Sequence, residues 1–243
     1  MSQLTLELLR RKPPRKARKW HERVTEVTDL LVAAYGSPTL GNFRDPVKEI
    51  FYIVLSAKTT EALYKKAHKR LWARFPTLDA LADARAAEIR ACVAAAGLGR
   101  KRAVQLKSIA SRLRADFGLQ PARKLRRLSA QDAYTYLRSL PGVGPKSALC
   151  VMMYSLDFDV FPVDAHAHRV LQRLGAIKSG SKHYHAQDLL PAFVPPGRSK
   201  ELHVALVIHG RVVCKSQSPQ CTNCLVAQLC STGAKRGTLP RYH

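Results

Sequence analysis

The stretch Leu140-Pro141-Gly142-Val143-Gly144-Pro145-Lys146-Ser147 constrains this chain more than any other. Two glycines one residue apart carry no Cβ, so the backbone can reverse sharply there and come close to another molecule. Pro145 suits the first position of a helix, where its missing N–H is no loss. Helical patterning on both sides makes the stretch a helix-hairpin-helix. The amides opening its second helix, with the positive end of the helix dipole, favour an anion.

Charge says what kind of anion. The 243 residues carry 41 Lys and Arg against 17 Asp and Glu, a net charge of +24. Such an excess implies a polyanionic partner bound in a salt-sensitive, largely sequence-blind way, and a DNA phosphate is the natural ligand of the hairpin. Gly142, Val143 and Gly144 are therefore candidate DNA-binding residues. A membrane is not the expected partner, because no apolar run approaches the ~20 residues needed to span one. The N-terminus lacks the charged-then-apolar order of a secretory signal. Four of the six cysteines crowd between 214 and 230, which is metal-site usage and implies a reducing compartment. The expected location is the bacterial cytoplasm, at the nucleoid, or the nucleus of a eukaryote.

Lys146 falls in the first turn of the second hairpin helix. There the dipole disfavours the ammonium form, and a free amine can act as a nucleophile and form a Schiff base. On the hairpin alone, the plainer reading is a lysine that only contacts phosphate. Asp164 precedes Ala-His-Ala-His-Arg-Val-Leu-Gln-Arg-Leu-Gly, the position of an N-cap. A carboxylate held at a helix start is also a rigid one, so capping and chemistry are compatible. His166 and His168, two apart on one helix, diverge and make a poor metal pair.

Taken in order, residues 1–20 form a basic, disordered arm with seven positive charges and two prolines between 10 and 19. A helix over 21–35 places Val24, Val27, Leu30, Leu31 and Ala34 on one stripe. Asp45-Pro46 caps a helix over 47–55 that is apolar nearly all round and so central to a core. Lys58 lies in the following link, an exposed residue between helices. Thr77 or Asp83 caps an alanine-rich segment ending at Ala96. Leu98 sits between Gly97 and Gly99 and is followed by Arg100-Lys101-Arg102. It either closes the preceding helix as a C-cap contact or serves as an apolar wedge into DNA. The glycine turn leads into a helix ending at Phe117. Ser129-Ala-Gln-Asp132 is a capping-box-like start for the helix that leads into the hairpin. Further helices fit 147–156, 165–174, roughly 182–194 and 199–210, the last capped by Ser199. Cys92 and Cys150 are expected as buried, inert thiols. No segment alternates with period two, so the fold class is all-α, with about ten helices.

Cys214-x6-Cys221-x2-Cys224-x5-Cys230 can close four thiolates on one metal centre. Zinc sites usually show two close pairs, whereas only 221 and 224 form one here. The longer spacings suit a cuboidal four-iron four-sulfur (4Fe-4S) cluster, which would act chiefly as a structural clip.

The hairpin, Lys146, Asp164 and the 6-2-5 cysteine loop, in this order, resemble the endonuclease III family of DNA base-excision glycosylases over about residues 22 to 232. The resemblance implies two helical domains with a DNA-binding cleft between them. One spans 40–158 and carries the hairpin; the other joins 21–39 to 159–243 and holds the cluster. It implies a monomeric, bifunctional DNA glycosylase and AP lyase that removes oxidised pyrimidines from double-stranded DNA and also acts at abasic sites. Lys146 matches the family's nucleophile and Asp164 its catalytic aspartate. Leu98 matches its intercalating wedge and Lys58 the residue filling the vacated space; Arg100 and His166 are further DNA-contact candidates. The chain departs where the family has Leu-Ser-Ala-Gln, with Lys58, and where it has Val-Asp-Thr-His, with Ala165. The adenine-excising branch lacks the nucleophilic lysine, so Lys146 argues against a monofunctional enzyme. A catalytically weak iron–sulfur DNA-binding protein would share the remaining features.

Overall fold

Asp45 starts the most deeply buried helix, accepting at Oδ1 from the backbone N–H groups of Val47 (2.8 Å) and Lys48 (3.2 Å). The structure, a computed structural model, describes residues 15–36, 39–97, 99–178, 180 and 193–235. Among these every regular element is helical, so the all-α expectation holds. The chain divides into two units, 42–158 and 1–41 with 159–243.

The continuous unit runs α2 (Pro46–Ser56), α3 (Glu61–Arg74), α4 (Leu78–Asp83), α5 (Ala86–Val93), α6 (Gly99–Phe117), α7 (Pro121–Leu125), α8 (Ala130–Ser139) and α9 (Pro145–Ser155). Every residue of α2 from Glu49 to Leu55 is buried, and the helix packs against α3 and α9. Glu49 is tolerated inside because its carboxylate accepts from Asn42 Nδ2 (2.6 Å) and the Phe43 N–H (2.8 Å). α9 buries all of Ala148 to Ser155. Its first turn, carrying Lys146, is thus held by the buried two thirds behind it.

The alanine-rich segment is two helices rather than one. Thr77 caps the first, accepting from Ala80 N–H at 3.1 Å. Asp83 ends that helix and pairs with Arg114 (2.7 Å) instead of capping. The break follows from Glu88, whose side chain accepts from the Arg85 N–H (3.1 Å) and offers the backbone a local alternative to continuing the helix. Cys150 is buried as expected, but Cys92 is only partly so.

His68 gives this unit a pH dependence. Its ring lies against Phe43 (4.6 Å between centroids) and Tyr52 (5.3 Å), and burial pushes its pKa down to about 4. The unfolded chain takes up this proton near pH 6.5, before the folded one does. The stabilising contribution is therefore full above about pH 6.5 and is lost as pH falls towards 4, by about 1.4 kcal/mol per pH unit. His68→Gln flattens the fall in urea midpoint across this window; a variant with the wild-type slope there would contradict the assignment.

The other unit contains α1 (Arg15–Tyr35), α10 (Ala165–Leu174), α11 (Ser199–Val212) and α12 (Ser231–Lys235), with single 3₁₀ turns at Cys221–Asn223 and Ala227–Leu229. Val24, Val27 and Leu31 of α1 meet Val170, Leu171 and Leu174 of α10 and Leu202, Ala205 and Leu206 of α11. The stripe on α1 runs through Thr28, fully buried and donating to the Val24 carbonyl (2.6 Å), while Leu30 and Ala34 face outward. α1 starts at Arg15, so residues 15–20 of the expected disordered arm are helical; no glycine or proline interrupts them. The cap of α11 is not Ser199. Arg198 occupies that position, and Asp159 accepts from the N–H groups of Gly197 (2.5 Å) and Ser199 (3.3 Å). The helix expected over 182–194 falls outside the described residues except at its last two positions. No described helix is long and apolar enough to cross a membrane.

Candidate active site and cysteine loop

The hairpin between α8 and α9 is built as its sequence demands. Gly142 has φ +81°, a conformation that favours glycine, and Pro145 stands in the first turn of α9. Val143 is buried, its N–H bonded to the Leu140 carbonyl (3.2 Å), and Arg138 donates to the Val143 carbonyl (2.9 Å). Lys146 is half-buried, the second residue of α9.

The two glycines differ in what surrounds them. A Cβ at Gly142 would meet the Gln105 amide at 2.9 Å, on top of the strained φ, whereas at Gly144 nothing lies within 4 Å. Gly142→Ala is expected to lose roughly 1–2 kcal/mol of stability. Gly144→Ala should keep the wild-type denaturation midpoint, and a hairpin that binds phosphate as its sequence leads one to expect would then bind duplex DNA several-fold more weakly. Equal binding by Gly144→Ala would remove the hairpin from the interface.

Lys58 is exposed in the α2–α3 link with φ +60°, unusual for a residue with a side chain. Arg102 of α6 donates to the carbonyls of Val54 and Ala57 (3.4 Å to the latter), fixing the end of α2 from which that link departs. Arg100 is exposed in the first turn of α6. Leu98 lies outside the described residues.

Asp164 caps α10, its Oδ1 accepting from the Ala167 N–H at 2.7 Å. The carboxylate is thus oriented by the helix it starts. His166 is half-buried, with Nδ1 3.1 Å from Arg169 Nη2. Burial lowers its pKa first; Asp164 opposes this, and Arg169 and Arg211 reinforce it. A neutral ring is the form that accepts from a guanidinium. His168, by contrast, is buried, so the pair diverges as its spacing implied.

Cys214, Cys221, Cys224 and Cys230 line one cavity, together with Val213, Pro219 and Ala227. Sequence reading alone missed what holds them there. Arg169 donates from Nε to the Cys214 carbonyl (2.9 Å) and from Nη2 to that of Gly210 (2.6 Å). Arg173 donates to the Cys214 sulfur (3.2 Å) and to the carbonyls of Lys215 (2.6 Å) and Ser216 (2.9 Å). Its own carbonyl accepts from Cys230 Sγ (3.2 Å) and Thr232 Oγ1 (3.0 Å). The four-residue spacing of these arginines, which puts both on one helix face, was the available signal.

No group of three or more His, Cys, Asp or Glu among the described residues forms a ready metal-ion site. The donor chemistry nevertheless fits a thiolate-ligated group. No carboxylate lines the cavity, and Arg173 directs an N–H at one sulfur. Burial, with the charges of Cys230, Cys214 and Cys221 added, pushes the Cys224 thiol up to about 11. Holding all four as thiolates there would take a cationic centre among them.

Residues 51–196 match the family model described as the HhH-GPD superfamily of base excision DNA repair proteins. A putative DNA glycosylase of Arabidopsis thaliana is 32% identical over 172 residues, 71% of this chain and 56% of that protein. Endonuclease III of Synechocystis is 27% identical over 218 residues, covering 89% of this chain and 95% of its own length. Among solved structures, an endonuclease III–DNA covalent intermediate, trapped as an estranged-adenine complex, superposes with a TM-score of 0.77 at 27% identity, over 89% of this chain and 98% of that one. The chain belongs to the HhH-GPD superfamily of base excision DNA repair proteins, as an endonuclease III-like DNA glycosylase.

Proposed function

We propose that this protein is a bifunctional DNA glycosylase and AP lyase that removes oxidised pyrimidines from double-stranded DNA and cuts the strand by β-elimination. The observation that carries this reading is Lys146, an amine set half-buried in the opening turn of α9 immediately behind Gly144-Pro145. A hairpin that holds the backbone beside the lesion and a lysine one residue past its proline suit a Schiff-base lyase.

The damaged nucleotide leaves the stack, because its C1′ is unreachable inside the duplex. The neutral Lys146 amine attacks C1′, and the bond to the base breaks with its electrons leaving on the base. Asp164 accepts the proton that the lysine sheds and offsets the positive charge developing on the sugar. The nitrogen lone pair then opens the sugar ring, breaking C1′–O4′ as O4′ takes a proton back from Asp164. The Schiff base so formed acidifies C2′, so loss of that proton expels the 3′ phosphate. Gly142, Val143, Gly144, Lys58, Arg100 and His166 contact the DNA. Cys214, Cys221, Cys224 and Cys230 hold a 4Fe-4S cluster, which supplies a rigid clip for the C-terminal loop. The enzyme works as a monomer in a reducing compartment.

Duplex oligonucleotides carrying an oxidised pyrimidine or an abasic site test the reading. The expected result is base release with strand cleavage that needs no alkali. Base release on an intact strand would make the protein monofunctional; tight binding with neither product would leave a DNA-binding protein.

A further inference from the structure

His209 is fully buried in α11, five residues before the first cysteine of the loop, and both of its ring nitrogens are engaged. Tyr35, the last residue of α1, places its hydroxyl 2.9 Å from Nδ1. Cys224 places its sulfur 3.4 Å from Nε2. The backbone repeats the clasp, for the His209 carbonyl accepts from the N–H groups of Val213 (3.0 Å) and Cys214 (2.8 Å). Imidazole, phenol and thiol thus form a line running from the N-terminal helix to the cysteine loop.

A neutral imidazole has one N–H, so the two contacts differ in kind. Either Nδ1–H donates to the Tyr35 oxygen and the Cys224 thiol donates to Nε2, or Tyr35 O–H donates to Nδ1 and Nε2–H donates to sulfur. A cysteine that ligates a metal does so as thiolate, which only accepts. Ligation therefore selects the second arrangement, and the Tyr35 hydroxyl becomes the group that fixes the tautomer.

We propose that Tyr35 and His209 form a hydrogen-bond relay that donates an N–H to the Cys224 sulfur and raises the reduction potential of the group the four cysteines bind. The proposal rests on the reading above that this group is an iron–sulfur cluster. An N–H directed at a ligating sulfur stabilises the more electron-rich cluster, so losing it makes reduction harder. His209 and Tyr35 are positioning residues, with no part in the chemistry at the sugar.

The test is a redox titration of the purified holoprotein, followed by electron paramagnetic resonance, for wild type, Tyr35→Phe, His209→Gln and His209→Leu. Iron content and the visible band per chain are measured alongside. Tyr35→Phe should keep its iron while the reduced-to-oxidised ratio at a given potential falls about tenfold, about 59 mV lower for a one-electron couple. His209→Gln, whose amide N–H replaces the donor, should stay within about half that shift. His209→Leu should shift at least as far as Tyr35→Phe; if it fails to fold, the first two variants still decide. Iron-loaded Tyr35→Phe at the wild-type potential would overturn the relay alone. Colourless wild-type protein carrying zinc would overturn the cluster reading itself.

Discussion

Lys146→Ala should abolish strand cleavage and slow base release by at least about 10³-fold, since the nucleophile and not an accessory to it is removed. Two features keep this result interpretable. Lys146 is only half-buried, and the face of α9 that enters the core starts at Ala148, so folding should be unaffected within about 0.5 kcal/mol. Binding should also survive: one charge lost from a +24 chain removes about one phosphate contact, lowering the salt slope by about one. Single-turnover kinetics and salt-dependent binding on the same oligonucleotide separate the two effects. If affinity and rate fell together by the same factor, Lys146 would be a phosphate contact and the proposed chemistry would fail.

Asp164→Asn should lower the single-turnover rate by roughly 10² to 10⁴-fold while leaving the melting temperature unchanged. The division follows from the cap. Asp164 Oδ1 accepts the Ala167 N–H at 2.7 Å, and an asparagine side-chain oxygen caps a helix about as well as aspartate does. What asparagine cannot do is accept the lysine's proton or carry negative charge opposite the sugar. Asp164→Ala should lose both functions, with about 1 kcal/mol of stability in addition. An Asp164→Asn enzyme that turned over normally would make Asp164 a cap and nothing more.

The features legible in the sequence are those set within a few residues. Gly142 needs its positive φ, Pro145 opens α9, Asp45 and Asp164 cap, and α2 is buried because it is apolar nearly all round. Errors arose where a distant partner decided the outcome. Ser199 looks like a cap from its neighbours, but Asp159, 40 residues away, accepts its N–H. Leu30 fits the stripe of α1 as well as Thr28 does, yet packing against α10 and α11 takes Thr28 inside. The arginines that lace the cysteine loop reach across 41 to 45 residues, and His209 reaches Tyr35 across 174. Cysteine spacing singled out the loop, and the spacing of Arg169 and Arg173 put both on one helix face, but nothing local joined the two.

The most direct test of the central claim is borohydride trapping with the adduct located in the chain. Protein is mixed with duplex DNA bearing an oxidised pyrimidine, reduced, digested and read by mass spectrometry. The expected result is one sugar adduct, on the peptide containing Lys146 and absent in Lys146→Ala. An adduct on another lysine, or base release with no adduct on any, would contradict the assignment of Lys146 as the Schiff-base nucleophile.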